Sequence, residues 1–327
     1  MRWQLARSIQ YESWFNMQPL IKINDLIKSY KGFQLGPVDL EVDAGTIVGL
    51  VGSNGAGKTT LIKSLLGMIS PDSGTMSMLG RPIQQIDDID ADLKNKIGVV
   101  LDTSAFTQES RVRDVALLGR WVFSDWDARY FQQLMDRFGL AADKKVTDLS
   151  RGMGMKLSLA FALAHHPRLL ILDEATAGLD PLARDEVLDM LRDFMAEGEL
   201  PGEAAVDSVA QEPRAILLSS HITSDLEKIA DRIVCIDDGR KVFEADKETI
   251  CNIAGVARCK SDQVEQVIAV LTDALDDPSS LRVVEGKYST DLLVPDRFAF
   301  AQAFPEIPVE PVSLDDYLAL TLKGEQL

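Results

Sequence analysis

The chain of 327 residues is 46% hydrophobic and 26% charged, a composition that excludes global disorder and fits one large folded domain with or without an appendage. Its formal net charge of -17 repels nucleic-acid phosphates and anionic lipids, so we expect no nucleic-acid partner. No stretch reaches the roughly 18–20 uninterrupted apolar residues of a membrane-spanning helix. The three cysteines fit no metal-ligand spacing, which favours a reducing, cytoplasmic compartment.

Strands and helices are predicted to alternate along most of the chain, after an N-terminal extension at residues 1–19. Thr46–Val51 is continuously apolar, which is typical of a strand buried on both faces of a sheet. A glycine-rich loop and a helix at Thr59–Met68 follow, and helical spacing of apolar residues dominates Arg111–Lys145. The remaining predicted elements are strands 20–23, 38–42, 169–172, 215–219 and 233–237, and helices 151–166, 181–197 and 224–231.

The last third of the chain has a different character. Residues 197–213 hold acids, two prolines and two glycines, and they predict a long loop. From about residue 245 onward the sequence predicts a separate, small α+β region with a helix at Val264–Leu275. We therefore expect a main α/β domain at 20–244, with a helical subdomain at about 104–148, and a C-terminal extension at 245–327.

The strongest chemical signal is a glycine-rich segment after the first buried strand. Residues 52–59 fit the pattern G-x-x-x-x-G-K-[ST] without a mismatch, between a strand and a helix, as this phosphate-binding motif requires. Successive backbone N–H groups would converge there on phosphate oxygens. Lys58 would neutralise the β/γ-phosphates and Thr59 would place its hydroxyl on Mg²⁺. The predicted ATP-binding residues of this segment are Gly52, Ser53, Asn54, Gly55, Ala56, Gly57, Lys58, Thr59 and Thr60.

Two acids follow the second continuously apolar run, Leu169–Leu172. An acid at the end of a buried strand can hold the hydration shell of Mg²⁺, which is the predicted role of Asp173. Glu174 would then act as the general base for the attacking water. Two acids at a strand end are common and would by themselves indicate only a solvated strand end. The phosphate loop earlier in the chain favours the functional interpretation.

Further motifs, in their order along the chain, resemble the ATP-binding-cassette (ABC) ATPases. Leu149-Ser-Arg-Gly-Met153 is similar to their signature motif, usually LSGGQ. Ala177-Gly-Leu-Asp180 resembles their D-loop, and His221, after an apolar run, resembles their switch histidine. Tyr30 lies where family members stack an aromatic ring on adenine. The resemblance covers about residues 20–241.

This resemblance implies a fold and a site. The fold is α/β: a P-loop NTPase-type nucleotide-binding domain with a RecA-like core, an antiparallel β subdomain and a helical subdomain, followed here by the small C-terminal α+β extension. Family members pair head to tail, so that each ATP lies between the phosphate loop of one domain and the signature of the other. ATP and Mg²⁺ are the implied cofactors. The residues implied to contact ATP outside the phosphate loop are Tyr30, Ser150, Gly152 and Asp180, and the implied catalytic residues are Lys58, Glu174 and His221.

Two motifs depart from the family pattern, the signature and the Q-loop. Arg151 and Met153 replace the usual glycine and glutamine of the signature, and Arg151 would add a positive charge near the partner's nucleotide. Asp102 stands where the family usually carries the Q-loop glutamine; a carboxylate only accepts hydrogen bonds and brings a negative charge beside the triphosphate. We expect Asp102 to keep a metal-proximal role, so the predicted metal-binding set is Thr59, Asp102 and Asp173.

The variant signature, the variant Q-loop and the segment 219–226 resemble the ATPase subunits of bacterial multidrug or antibiotic exporters of the ABC-2 type. The implied function is ATP hydrolysis that energises export through a separate transmembrane permease, together with a second nucleotide-binding domain, identical or paralogous. The chain would lie on the inner face of the plasma membrane, with its coupling surface around Asp102–Arg113 and the helical insert. The alternative is a soluble ABC-type ATPase in repair, translation or assembly. The transported substrate is not encoded here, because the permease selects it.

Overall fold

The computed structural model describes residues 18–102, 106–197, 213–260, 263–274, 281–285 and 289–326. The chain divides into two compact units, one made of Met1–Ala230 with Val234–Phe243 and the other of Asp231–Ile233 with Glu244–Leu327. Most of the predicted N-terminal extension (1–19) and of the predicted loop (197–213) lies outside the described residues.

The first unit contains the strands and helices that carry the predicted motifs. Its strands are β1 (Ile21–Tyr30), β2 (Phe33–Val42), β3 (Ile47–Val51), β4 (Ser73–Met78), β5 (Arg81–Ile83), β6 (Ile97–Val100), β7 (Leu169–Asp173), β8 (Ala215–Ser219), β9 (Arg232–Asp237) and β10 (Arg240–Asp246). Its helices are α1 (Lys58–Leu65), α2 (Ala91–Asn95), α3 (Val112–Val122), α4 (Ala128–Arg137), α5 (Arg151–Leu163), α6 (Pro181–Glu197) and α7 (Thr223–Ile229).

A six-stranded sheet forms the centre of this unit, in the order β10-β9-β3-β8-β7-β6. Strands β3, β8, β7 and β6 run parallel to one another. Every residue of β3, β7 and β8 is buried, as is expected where both faces of a parallel sheet are covered. Their continuously apolar sequences follow from that double burial, and these strands were predicted for this reason.

A second, four-stranded antiparallel sheet has the order β2-β1-β4-β5. Its apolar residues alternate with exposed ones. The apolar face of this sheet packs on one face of β3, β7 and β8, and the residues between the two sheets form the main hydrophobic core. The predicted short strands 20–23 and 38–42 are the ends of a long hairpin, β1 and β2. The segment after β2, Asp43-Ala-Gly45, is a loop between the two sheets.

The two helices that precede the signature, α3 and α4, each bury one apolar stripe, with Phe131, Leu134 and Met135 inside on α4. The predicted helix Thr59–Met68 is shorter in the structure: α1 ends at Leu65, and Gly67 follows with a left-handed φ of 65°. In the described parts of the chain, no helix is long and apolar enough to cross a membrane.

The second unit is a small α+β fold around a five-stranded antiparallel sheet of order β14-β11-β13-β12-β15. Its elements are a π-helical turn (Thr249–Ile253), β11 (Gly255–Cys259), α8 (Val264–Ala274), β12 (Arg282–Glu285), β13 (Thr290–Val294), α9 (Arg297–Ala303), β14 (Val309–Pro311), α10 (Leu314–Lys323) and β15 (Glu325–Gln326). The order β11-α8-β12-β13-α9-β14 is the ferredoxin-like, split βαβ arrangement. One sheet face packs on α8 and α9 and the other on α10, because alternate strand residues point to opposite faces.

Candidate functional site

The parallel strands deliver the predicted site residues to one edge of the central sheet. β3 leads into the glycine-rich loop, β7 ends at Asp173 and Glu174, β8 leads to His221, and β6 leads to Asp102. Since these four strands are parallel, their carboxyl ends meet on the same side of the sheet. In open α/β sheets this edge is where ligands bind.

A cleft of about 610 Å³ lies at this edge. It is lined by Tyr30, Phe33, Asn54, Gly55, Ala56, Gly57, Lys58, Thr59, Thr60, Asp102, Arg151, Glu174, Ala177, Gly178 and His221. The sequence had singled out most of these side chains as ATP-binding, catalytic or metal-binding. The predicted residues that do not line the cleft are Gly52, Ser53, Ser150, Gly152, Asp173 and Asp180.

The glycine-rich loop wraps around the amino group of Lys58. This group donates to the backbone carbonyls of Gly52 at 2.8 Å and Ser53 at 3.1 Å, and the side chain is buried. The loop itself approaches β9 so closely that a Cβ on Gly52 would lie 1.9 Å from the carbonyl oxygen of Ile236. Gly57, with a φ of 112°, begins α1 and turns the start of the helix toward the cleft. The loop therefore presents backbone N–H groups and one ammonium to the cleft.

A hydroxyl and a carboxylate meet beside the loop. Thr59 Oγ1 donates to Asp173 Oδ2 at 2.9 Å, and Ser219 Oγ donates to Asp173 Oδ1 at 2.6 Å. Asp173 is buried. The carboxylate is thus fixed by two hydroxyls, one from the helix after the loop and one from the neighbouring strand β8. Oxygen donors of this kind suit a hard cation such as Mg²⁺, so the residues present fit the predicted metal.

Glu174 stands next to this pair and faces two other predicted residues. His221 Nδ1 lies 2.6 Å from Glu174 Oε2, and Lys58 Nζ lies 3.6 Å from Glu174 Oε1. The Glu174 backbone has a left-handed φ of 54°, and its N–H donates to both the carbonyl and the hydroxyl of Ser219, each at 3.1 Å. A carboxylate, an imidazole and an ammonium from three separate segments therefore converge at one point.

The aromatic wall of the cleft comes from the turn of the β1–β2 hairpin. Tyr30 is 46% exposed and lies 6.5 Å, between ring centroids, from Phe33. Phe33 was not predicted; as the first residue of β2, opposite Tyr30 in the hairpin register, it could have been found only by recognising the hairpin.

The signature and D-loop residues that were predicted to contact ATP, Ser150, Gly152 and Asp180, lie outside this cleft. Ser150 caps α5, accepting a hydrogen bond from the Met153 N–H at 3.3 Å, and Asp180 caps α6 by accepting from the Ala183 N–H at 3.0 Å. Ser150 and Asp180 are exposed and Gly152 is half-buried. The cap on α5 was the alternative role weighed for Ser150 from the sequence. These residues are free to face another molecule.

Arg151 differs from its sequence-based expectation. We expected its charge near a partner's nucleotide, but its guanidinium pairs with Asp102 of the same chain at 2.7 Å, and both side chains line the chain's own cleft. The two residues are 49 positions apart, and each was noted singly as a departure from the family pattern. Ala177 and Gly178 also line the cleft, although of the D-loop only Asp180 was predicted as a contact.

The chain is similar to known ATP-binding proteins of ABC transporters. The family model described as ABC transporter matches residues 35–177. The Nod factor export ATP-binding protein I of Cupriavidus metallidurans is 33% identical over 246 residues, covering 72% of this chain and 74% of that protein. The ABC transporter ATP-binding protein YtrB of Bacillus subtilis is 29% identical over 255 residues, 78% of each chain.

Solved structures show the same fold. The ATP-binding subunit of an ABC transporter superposes with a TM-score of 0.60 at 27% identity, covering 71% of this chain and 91% of that one. An ATP-binding cassette solved as a dimer in a post-hydrolysis state with ADP and Pi gives a TM-score of 0.60 at 18% identity, covering 69% and 98%.

The fold and the cleft define an ATP-binding cassette. The chain belongs to the family of ABC transporter ATP-binding subunits, ATPases that power transport. The relatives named above are proteins of this kind, and they lend no support to the soluble alternative.

Proposed function

We propose that this chain hydrolyses ATP with Glu174 as general base, in a head-to-tail pair of cassettes that drives an exporter. The observation that carries the proposal is the convergence of Glu174, His221 and Lys58 at the edge where the phosphate loop opens. Here His221 lies within hydrogen-bond distance of the Glu174 carboxylate, so it can hold that group in position or contact a γ-phosphate beside it.

In this mechanism the phosphate loop binds the triphosphate through its backbone N–H groups and Lys58, and Tyr30 stacks on the adenine. Glu174 orients the attacking water and accepts its proton, an effect worth about 10²–10⁴-fold. To bind the phosphates, the Lys58 ammonium would leave the two loop carbonyls. This would need only a small shift, because the side chain already lies at the cleft. Mg²⁺, when bound, would neutralise charge developing on the β- and γ-phosphates.

Thr59 and Asp173 are the residues proposed to hold Mg²⁺. Their direct hydrogen bond at 2.9 Å places a hydroxyl and a carboxylate oxygen together, as ligands of one ion or of its water shell. Asp102 is the third predicted member; it lines the same cleft, and its carboxylate is engaged by Arg151. A contact between Asp102 and the metal stays a prediction.

A second cassette is proposed to complete the site. Ser150, Gly152 and Asp180 lie outside the chain's own cleft, and the capped start of α5 is a helix N-terminus that can bind a phosphate from another molecule. This supports the head-to-tail arrangement, in which the signature of one cassette contacts the ATP of the other. The second cassette is either a copy of this chain or a paralogue.

A separate permease is the proposed membrane partner. The described residues offer no membrane-spanning helix, and α3 exposes an apolar cluster formed by Leu117, Leu118, Trp121 and Val122, with Trp121 86% exposed. An apolar groove of about 290 Å³ lies beside it, with Val122, Phe123, Phe161 and His165 among its walls. This surface belongs to the helical insert predicted as the coupling region, and it would bring the chain to the inner face of the membrane. Export is supported by the name of the Nod factor relative.

The test compares the purified chain with Glu174→Gln. We expect wild type to release phosphate in a Mg²⁺-dependent reaction, and Glu174→Gln to lose at least about 100-fold in rate while forming a dimer with MgATP on gel filtration. Glu186→Gln, a change of the same type on the surface of α6, is the matched control and should hydrolyse like wild type. Hydrolysis by Glu174→Gln at the wild-type rate would overturn the base assignment.

A further inference from the structure

Three motif segments meet at the side chain of Arg151. Its guanidinium pairs with Asp102, which follows β6 at the Q-loop position, at 2.7 Å. The same group lies on the backbone of Gly178 in the D-loop, where a Cβ would come within 2.9 to 3.1 Å of three Arg151 atoms. A side chain at residue 178 would require the Arg151 guanidinium to shift. Arg151 itself is the first residue of α5, at the signature.

This ion pair stands inside the ATP cleft. Arg151 and Asp102 line it together with Lys58 and Glu174, which form the second ion pair of the cleft, at 3.6 Å. Each cation thus has a carboxylate opposite it. Both members of the Arg151–Asp102 pair are about half exposed, 54% and 51%, so solvent and ligands reach them.

MgATP offers a competing ligand to each partner. A guanidinium binds phosphate oxygens in a bidentate manner at least as well as it binds a carboxylate. A carboxylate, in turn, is attracted to Mg²⁺ or to its water shell. Because an exposed ion pair is a weak interaction, the arrival of a triphosphate in the same cleft is sufficient to exchange its partners.

We propose that the Asp102–Arg151 pair is a tether that holds the signature end of α5 on the chain's own Q-loop and D-loop, and that MgATP competes with it. Arg151 is then a positioning residue: its pairing decides whether the signature lies against its own cleft or turns toward a partner. This inference rests on the proposed head-to-tail dimer. It also explains why the two departures from the family pattern carry opposite charges.

The experiment is a double-mutant cycle in the Glu174→Gln chain, with Arg151→Gln, Asp102→Asn and the double variant. The first readout is the MgATP concentration that gives half-maximal dimer on gel filtration. The second is the dissociation constant of a fluorescent ATP analogue for the diluted, monomeric chain. We expect Arg151→Gln to lower both values about two- to fivefold when Asp102 is present, and to lower neither when residue 102 is asparagine, because the tether is already broken there.

The outcomes separate the tether from its alternatives. If Arg151→Gln raises both values, or has the same effect in the Asp102 and Asp102→Asn backgrounds, the two residues act independently and the tether is wrong. Lys22→Gln breaks an ion pair of similar exposure at the other end of the β1–β2 hairpin and should change nothing. The charge exchange Asp102→Arg with Arg151→Asp should return the values toward those of the Glu174→Gln parent.

The two proposals fail in different ways. If the Glu174→Gln parent binds the ATP analogue but never dimerises, the head-to-tail function is wrong, whereas the analogue affinities still test the tether. If the parent dimerises and the cycle is additive, the function stands and the tether falls. Measuring the cycle at about 0.05 M and 1 M salt adds an electrostatic check, because screening at the higher salt should shrink the effect of Arg151→Gln.

Discussion

Glu174 shows at the scale of one residue how the cleft is pre-organised. A left-handed φ in a residue other than glycine costs about 1–3 kcal/mol and persists only where the surroundings enforce it. Here the N–H of Glu174 is held by both oxygens of Ser219 on the adjacent strand, while Lys58 and His221 face its carboxylate. The backbone therefore aims this carboxylate into the cleft before any substrate is present.

His165 is a buried histidine with no part in ATP chemistry. Its ring stacks on Phe123 with centroids 3.8 Å apart, and its Nε2 lies 3.1 Å from the carbonyl oxygen of Ile97. Burial lowers the pKa of His165 to about 4. The stacking and the contact with Ile97 give this residue a structural role at the end of α5.

The lowered pKa of His165 predicts a loss of stability in acid. Below about pH 6.5 the unfolded chain takes up a proton on this histidine, whereas the folded chain does so only near pH 4. The contribution of the neutral His165 to the free energy of unfolding is therefore fully present above about pH 6.5, and it is lost as the pH falls toward 4. Between pH 7.5 and pH 5 we expect His165→Gln to lose about 2 kcal/mol less of its unfolding free energy than wild type does, measured by urea denaturation.

The exposed neighbour His166 provides the control for this measurement. His166→Gln removes a histidine that is 46% exposed and contacts Asp127 at 3.3 Å. This variant should lose as much unfolding free energy between pH 7.5 and pH 5 as wild type does. Equal pH dependence of wild type and His165→Gln would show that the buried imidazole does not cause the loss.

At the scale of elements, a buried ion pair joins the two helices that follow the D-loop and the switch histidine. Asp225 on α7 is fully buried, and Arg184 on α6 places its Nε 3.8 Å from the Asp225 carboxylate. Neither carboxylate oxygen of Asp225 has a hydrogen-bond partner among the described residues. Arg184 also donates to the carbonyl of Leu179, in the D-loop, at 3.4 Å. The ion pair thus connects the D-loop to α7, the helix that follows the switch histidine.

Removal of one partner of this pair should be more harmful than removal of both. Arg184→Leu leaves a buried, unpaired carboxylate, and we expect it to lower the unfolding free energy by about 3–5 kcal/mol. The double change Arg184→Leu with Asp225→Leu removes both charges and should recover most of that loss. Chemical denaturation of the single and double variants measures this coupling; losses that simply add would contradict it.

The elements that the sequence predicted best are those under the strictest physical constraint. Buried parallel strands must be apolar throughout, so β3, β7 and β8 could be recognised from composition alone. The β1–β2 hairpin was found only at its ends. Register shifts near Leu26 break the alternation of apolar and polar residues that would have revealed the middle of the strands.

Contacts between distant residues were beyond the sequence for a different reason. Asp102 and Arg151 were each noticed as unusual, but nothing in one chain's pattern says that two variant positions 49 residues apart form an ion pair. The same holds for Ser219, whose hydroxyl fixes Asp173. A motif identifies the residues that contact a ligand. The residues that hold those side chains in place can be identified only when the order of the strands in the sheet is known.

At the scale of the whole molecule, the two units differ in fold and in the motifs that they carry. The first carries every predicted ATP motif, while the second is a ferredoxin-like fold with both sheet faces covered. The sequence predicted this second region as α+β with one helix, 264–275, because its short strands of two to five residues give too little alternation to order them.

The proposed coupling surface on the first unit yields a prediction that separates partner binding from chemistry. Trp121 on α3 is 86% exposed and lies in an apolar cluster with Leu117, Leu118 and Val122. Exposed apolar clusters of this kind, with a groove beside them, mark interaction sites, and large aromatic residues contribute most to binding. If this cluster docks on a permease, Trp121→Ser should abolish co-purification of the tagged chain with an integral membrane protein from detergent-solubilised membranes.

The same variant should hydrolyse ATP within about twofold of wild type when purified alone, because none of the four residues of this cluster lines the cleft. Phe298→Ser, which changes a 59% exposed aromatic residue in the second unit, is the matched control and should keep the membrane protein bound. Loss of binding in both variants would point to a general effect of surface aromatics. Retention of binding by Trp121→Ser would place the permease contact elsewhere, because truncating a central aromatic anchor typically weakens an interface by about 2 kcal/mol or more, roughly 30-fold in affinity.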